Sequence, residues 1–171
     1  MTTVRAMFWS GRGGRLTSPG IYALTNKLHA AGIDVSFYGP PVLQASLNAQ
    51  IADLNAAFAG GQKIMLGGYS LGAMTAIEVA KLLQGLSVNV DLLATIVPAY
   101  GVVPGNVKEA VNHTIYGGRF FIWPSDRLDS FSGAATALTN IHYRDKNHVT
   151  IQSDDRVHTD IVMRARRLSG G

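Results

Sequence analysis

Apolar runs of strand length alternate with segments of helical spacing along most of this chain. The run from Val4 to Trp9 ends at a glycine cluster, and Leu24 and Leu28 then follow at helical spacing. Ser18 and Pro19 provide an N-cap and a first helical residue for that segment. The pattern predicts strands at 4–9, 33–38, 63–67, 90–97, 119–123 and 141–144, and helices at 19–31, 43–58, 71–83, 107–112 and 154–168.

This order of elements predicts one α/β domain that spans residues 1–171. Strands that alternate with helices need crossover connections, which produce a mostly parallel sheet with helices on both faces. The predicted strands are apolar throughout, as expected when both faces of a sheet are covered. We therefore expect a three-layer α/β/α sandwich around a sheet of about six strands.

Composition excludes several classes of protein and site. Apolar residues make up 47% of the chain and charged residues 15%, a balance that excludes a disordered chain. No cysteine is present, so disulfides, thiolate metal sites and a cysteine nucleophile are excluded. The net charge is +4, but the arginines form small groups and not the stripe typical of nucleic-acid binding. We expect no nucleic-acid partner.

The glycines after the first predicted strand do not form a nucleotide-binding motif. Leu16 stands where a dinucleotide fingerprint needs its third glycine. The second predicted strand also ends without an acidic residue to bind a ribose hydroxyl. His, Asp and Glu show no clustering at metal-ligand spacing. The sequence therefore predicts no cofactor and no metal.

The most informative segment is the turn between the third predicted strand and the third predicted helix. Gly68-Tyr69-Ser70-Leu71-Gly72 matches G-x-S-x-G in the strand–turn–helix context that a nucleophilic serine requires. Glycine at 68 and 72 lets strand and helix approach closely. The helix N-terminus favours developing negative charge, and the backbone N–H of Leu71 is a candidate oxyanion-hole donor. Ser70 is the candidate nucleophile, and residues 68–72 form its nucleophile elbow, the sharp strand-to-helix turn that exposes the serine.

On these residues the chain resembles the α/β-hydrolase superfamily, and most of all its small cutinase-like serine esterases. The segment 67–73 is close to their Gly-Tyr-Ser-Gln-Gly-Ala turn, with Leu71 in place of the glutamine. Phage lysin B enzymes, which cleave mycolyl esters of mycobacterial envelopes, share this core. The resemblance implies a lidless carboxylic ester hydrolase that acts on lipid-like or small acyl esters, envelope mycolyl esters among them, through an acyl-enzyme intermediate.

A serine nucleophile needs a histidine base, and in this superfamily the partners follow in the order serine, acid, histidine. His148 follows the last predicted strand, so it lies at the same edge of a parallel sheet as Ser70. His158 is the alternative, although its place in the helix 154–168 suits capping or solvation of that helix. The other histidines are expected elsewhere: His29 on the first helix, His113 before the strand 119–123, and His142 within a strand.

A carboxylate must orient the histidine. Asp126 is the first choice because it lies in the loop just past the predicted strand 119–123. Asp129 is an alternative, although its position also fits a helix start. Asp145 is close to His148 in sequence, but its place at a strand end makes it a poorer orienting group.

The loop after the first predicted strand should supply a second oxyanion donor. Ser10, Gly11 and Arg12 share this candidacy, and one such donor is worth about 10²–10³ in turnover. Val102, Val103 and the residues near Phe131 are candidate contacts for the acyl group, although ordinary packing explains them equally well.

Other activities use the same chemistry. A thioesterase or acyltransferase also forms an acyl-enzyme, and a binding protein with a decayed triad is a further alternative. Residues 1–10 hold no apolar core long enough for a signal peptide, and no apolar run approaches the roughly 20 residues of a membrane span. We expect a protein that is cytoplasmic or is released without a leader, as in phage-type release, and that binds a small-molecule or lipid ester. The sequence does not predict the oligomeric state.

Overall fold

A six-stranded parallel sheet runs through the centre of the structure, which is a computed structural model describing residues 2–39, 44–98, 101–115, 129–130 and 136–170. The strand order is β2-β1-β3-β4-β6-β8, and every neighbouring pair is parallel. Two short strands, β5 and β7, pair separately. The strands are β1 (Val4–Trp9), β2 (Asp34–Tyr38), β3 (Lys63–Tyr69), β4 (Val90–Ile96), β5 (Val102–Val103), β6 (Val107–Ile115), β7 (Asp129–Ser130) and β8 (Ala137–Tyr143).

Within the described ranges, four α-helices cover the two faces of this sheet. One apolar cluster joins α1 and α4 to one face, and a second joins α2 and α3 to the other. The architecture is therefore the three-layer α/β/α sandwich that the sequence predicts. The helices are α1 (Pro19–Ala30), α2 (Gln44–Ala59), α3 (Leu71–Gly85) and α4 (Asp155–Ser169), and two short 3-10 helices lie at Gly14–Leu16 and Ile151–Ser153.

The central strands are buried because both of their faces carry apolar side chains. All of β4 is buried, including Asp91. Burial of a carboxylate is costly unless it is paired and hydrogen-bonded. Asp91 accepts a hydrogen bond from the Ile64 N–H at 2.9 Å and pairs with Lys108 at 2.8 Å, so this one charge inside the strand is satisfied.

Residues 107–112 belong to a strand and do not form the predicted helix. They begin β6, which pairs with β4 on one side and β8 on the other. Most of β6 is buried, and burial between two strands overrides the weak local helix propensity of this segment. His113 consequently lies inside a sheet strand. The predicted strand 119–123 lies outside the described residues. In the sheet, β6 takes the fifth place, between β4 and β8.

Candidate active site

The turn between β3 and α3 holds Ser70 in a backbone conformation that residues other than glycine rarely adopt. Its φ is 55° and its ψ is −119°, a sparsely populated region for a residue other than glycine. Hydrogen bonds hold this turn in place. Ser70 N–H donates to the Ile96 carbonyl at 2.9 Å, and the Ser70 carbonyl accepts from Ala73 N–H at 3.0 Å. The turn therefore projects the half-buried serine from the carboxyl end of the sheet.

Both glycines of the turn are required by the close approach of backbone segments. A Cβ placed on Gly68 would lie 2.3 Å from the Gly72 carbonyl oxygen. A Cβ placed on Gly72 would lie 2.2 Å from the Trp9 carbonyl oxygen and 2.5 Å from that of Ser10. Strand β1, strand β3 and the first turn of α3 thus meet at a point that leaves no room for a side chain.

His148 lies within hydrogen-bond distance of the serine. It follows β8 in a turn, and its Nε2 is 3.1 Å from Ser70 Oγ. The Asn147 side chain accepts hydrogen bonds from the N–H groups of Val149 and Thr150, each at 2.9 Å. This Asx turn fixes the backbone on both sides of the histidine. The structure therefore brings together the serine and the histidine chosen from the sequence.

Tyr69 ties the histidine turn to the serine turn. Its hydroxyl donates to the His148 carbonyl at 2.7 Å, and its ring centroid is 5.2 Å from that of the imidazole. Burial raises the pKa of Tyr69 to about 12, so the hydroxyl keeps its proton and remains a donor. The sequence places Tyr69 in the serine turn but does not predict this contact, because nothing local indicates that residue 148 lies beside it.

The structure does not describe the preferred acid. Asp126 lies outside the described residues. Asp129 lies in β7, opposite Val102 in the register of that small sheet. The Asp145 carboxylate binds the Arg156 guanidinium at 2.8 and 2.9 Å, and this hydrogen bonding lowers its pKa. Asp145 is thus held by an arginine, in keeping with its low rank as a partner for His148.

Two candidate oxyanion donors lie where α3 begins. Leu71 is the first residue of α3, and the first N–H groups of a helix have no partner within that helix. Ser10 is fully buried, and its Oγ has no hydrogen bond among the described residues. Its carbonyl is one of the groups that close the space at Gly72. A buried hydroxyl without a hydrogen-bond partner is uncommon, and this distinguishes Ser10 from Gly11 and Arg12.

The other loop candidates differ from Ser10. The Gly11 N–H donates to Ser18 Oγ at 3.0 Å. Ser18 was expected to cap α1 with its side chain, but its hydroxyl makes no hydrogen bond to the first turn of that helix. The hydroxyl accepts the Gly11 N–H instead. Arg12 is exposed, and its carbonyl accepts the Thr17 hydroxyl.

His158 is a buried residue of α4 and does not cap or solvate that helix as expected. Its Nε2 donates to the Gln152 carbonyl at 2.7 Å, which leaves Nδ1 to accept from Lys27 Nζ at 3.1 Å. Burial lowers its pKa, and the bond to Gln152 opposes that effect. Both ring nitrogens are therefore engaged in holding α1 and α4 to the 3-10 helix Ile151–Ser153.

The remaining histidines lie in β6, α1 and β8. His113 is fully buried, with Nδ1 at 3.0 Å from the Tyr143 hydroxyl and Nε2 at 3.2 Å from Asp160. His29 is exposed on α1, and His142 is exposed on the edge strand β8. Among the described residues, no cluster of His, Asp and Glu could hold a metal ion. No helix in the described ranges is long and apolar enough to cross a membrane.

A mostly apolar groove of about 570 Å³ adjoins the histidine turn. One wall comes from the start of α1 and the residues before it, and the other from the residues that follow His148. Of the predicted acyl contacts, Val102 is half exposed, Val103 is buried in the core, and Phe131 lies outside the described residues. The groove is lined by Leu16, Thr17, Pro19, Val149, Thr150, Gln152 and Ser153.

Solved structures of hydrolases share this fold at low sequence identity. YbtT, a type II thioesterase from the yersiniabactin NRPS/PKS biosynthetic pathway, matches with a TM-score of 0.66 at 13% identity, covering 98% of this chain and 94% of that chain. A structure from the work on LipS and LipT, two metagenome-derived lipolytic enzymes, gives 0.64 at 11%, with 99% and 95% covered. Human thioesterase 2 gives 0.58 at 10%, with 98% of each chain covered.

No protein-family model and no curated protein matches the sequence. At these identities the likeness establishes the α/β-hydrolase fold, and the chemistry has to be argued from the site.

Proposed function

We propose that this protein is a serine hydrolase that cleaves carboxylic esters through an acyl-enzyme intermediate. The observation that carries the proposal is the 3.1 Å separation of Ser70 Oγ and His148 Nε2, with Ser70 at a φ of 55°. A serine hydroxyl is a weak nucleophile until an adjacent base accepts its proton. Backbone strain of this kind clusters at active sites. The fold shared with esterases and thioesterases also supports the proposal.

Each step of the reaction uses a group at the carboxyl edge of the sheet. Ser70 Oγ attacks the ester carbonyl while His148 Nε2 accepts its proton, and the same nitrogen then protonates the leaving alcohol. Asp126 orients the imidazole and stabilises its charged form. The Leu71 N–H and a second donor from the loop 10–12 stabilise the developing oxyanion. Water, deprotonated by His148, then releases the acid from Ser70.

The proposed substrates are small or lipid-like acyl esters, as in cutinase-like enzymes. The serine turn carries this finer assignment, because its glycines and Tyr69 match the cutinase-like pattern. Envelope mycolyl esters, the substrates of lysin B enzymes, belong to the same chemical class and are the long-chain candidate.

The test is covalent labelling by a fluorophosphonate together with hydrolysis of p-nitrophenyl butyrate. The wild type should be labelled at Ser70 and should hydrolyse the ester. Ser70→Ala should lose labelling and hydrolysis but unfold at the same temperature as the wild type. Loss of the nucleophile or base lowers turnover by about 10⁶ in well-studied triads. A Ser70→Ala protein with undiminished turnover would refute the assignment.

Paired substitutions assign the acid. Asp126→Asn should lower turnover by about 10⁴, whereas Asp129→Asn should leave it nearly unchanged. The opposite ranking would identify Asp129 as the partner of His148.

Thioester hydrolysis is the second candidate activity, because solved thioesterases share the fold over nearly their whole length. Matched oxygen esters and thioesters of the same acids, compared over a series of chain lengths, separate the two activities. A higher kcat/KM for every thioester would make the protein a thioesterase. A folded protein that neither labels nor cleaves either series would instead be a non-catalytic binding protein.

A further inference from the structure

The groove beside the histidine turn exposes apolar side chains on both of its walls. Leu16 is 94% exposed on one wall and Val149 is 66% exposed on the other. Single exposed apolar residues are normal on protein surfaces. Two of them that line one mostly apolar groove form a surface that an apolar ligand would remove from water.

The position of the groove determines which part of an ester it can accept. Val149 follows His148 directly, so their Cα atoms are about 3.8 Å apart. The nitrogen that takes the serine proton must also protonate the leaving oxygen, which therefore comes within hydrogen-bond reach of His148 Nε2. An alkyl chain on that oxygen starts at the imidazole of the residue that precedes Val149 in the chain, whereas the acyl carbon is bonded to Ser70.

We propose that the groove binds the alkyl part of the leaving alcohol, and that the protein selects esters of apolar alcohols. This inference rests on the proposed ester hydrolase function and goes further by naming the specificity site. Its key residues are Leu16 and Val149, one on each wall.

The groove is already formed without a ligand. Gln152 Nε2 donates to the Thr17 carbonyl at 3.1 Å and so joins the two walls. A Cβ on Gly20 would lie 2.3 Å from the Gln152 carbonyl oxygen, which shows how tightly α1 packs on the 3-10 helix Ile151–Ser153. A site that is rigid before binding loses little conformational freedom when an alkyl chain enters.

Two ester series distinguish the alcohol side from the acyl side. Acetates of ethanol, butanol and hexanol lengthen the alcohol, and methyl esters of acetic, butyric and hexanoic acids lengthen the acyl group. Because the groove is open on one side, each added methylene on the alcohol should raise kcat/KM about twofold, half of the free energy of full burial. Acid release is followed in a pH-stat.

Substitutions in the two walls test the assignment. Leu16→Ser and Val149→Thr should each flatten the dependence on alcohol length and leave the dependence on acyl length as it is in the wild type. Met163→Ser is the control, since Met163 is 54% exposed on α4 and lies outside the groove; it should change neither dependence. A flattened acyl series, or no change in either series, would overturn the proposal.

A binding measurement separates failure of this inference from failure of the proposed function. Methyl-labelled Ser70→Ala protein is titrated with 1-hexanol and, separately, with hexanoate, and observed by NMR. Hexanol should shift the methyl signals of Leu16 and Val149, and hexanoate should shift them less. Such shifts, together with a wild-type protein that cleaves no ester, would support the groove and refute the activity. Active protein without these shifts would refute the groove alone.

Discussion

Replacement of Gly72 by alanine should destabilise the protein and inactivate it together. The new Cβ would lie 2.2 Å from the Trp9 carbonyl oxygen, so backbone that cannot rotate away must move by about 1 Å. Overpacking of this kind costs about 3 kcal/mol at the upper end of its usual range. Alanine recovers about 1 kcal/mol through its higher helix propensity. The free energy of unfolding should therefore fall by about 2 kcal/mol.

Gly85→Ala is the matched control on the same helix. Gly85 ends α3, and a Cβ there meets nothing within 4 Å. Alanine should raise the free energy of unfolding by up to about 1 kcal/mol through propensity alone. Both variants are compared by urea denaturation followed by circular dichroism. Equal midpoints for the two would refute the argument that β1 and α3 leave no space at residue 72.

The Gly72→Ala variant should also lose reactivity. A shift of about 1 Å between the β1 loop and α3 separates Ser10 from Leu71, and displacements of that size cost about 10² in rate. Fluorophosphonate labelling should slow accordingly, whereas Gly85→Ala should label at the wild-type rate.

Two further substitutions test contacts around the site. Tyr69→Phe removes the 2.7 Å hydrogen bond to the His148 carbonyl, so kcat for p-nitrophenyl butyrate should fall about tenfold with little change in KM; an unchanged kcat would exclude a positioning role. Burial lowers the pKa of His158 below 6.5, and its bond to Gln152 offsets this only in part. The imidazole of His158 then binds a proton more tightly in the unfolded chain than in the folded one. The contribution of neutral His158 to folding stability is therefore present above pH 6.5 and is lost as the pH falls through the pKa of the folded state. Urea denaturation at a series of pH values should show the free energy of unfolding decline towards acid pH, and His158→Gln should flatten this dependence. If the pH dependence of His158→Gln equals that of the wild type, His158 is not its source.

Local chemistry predicted those parts of the fold whose cause is local. β1 has the bounds expected from its apolar run, and α1 begins at Pro19 as expected from the fixed φ of proline. The glycines at 68 and 72 were identified because close backbone approach leaves no other choice. The pairing of Ser70 with His148 followed from chain order and from the common direction of parallel strands.

The errors arose where a distant partner decides the outcome. Residues 107–112 were predicted to form a helix, but they belong to β6, where Lys108 pairs with Asp91 and Glu109 with Arg164. Neither partner is within helical reach in sequence. The ring of His158 is buried between α1 and the 3-10 helix Ile151–Ser153 for the same reason, because Lys27 lies more than a hundred residues earlier. Asp126 remains a prediction.

The strand order has a consequence for how the protein would lose activity on warming. Ser70 follows β3, whereas His148 follows β8 at the rim of the sheet, and two strands lie between them. Peeling of β8 from β6 would pull the imidazole away from the hydroxyl while the interior of the sandwich was still intact. Gentle warming should then abolish turnover well before the helices melt.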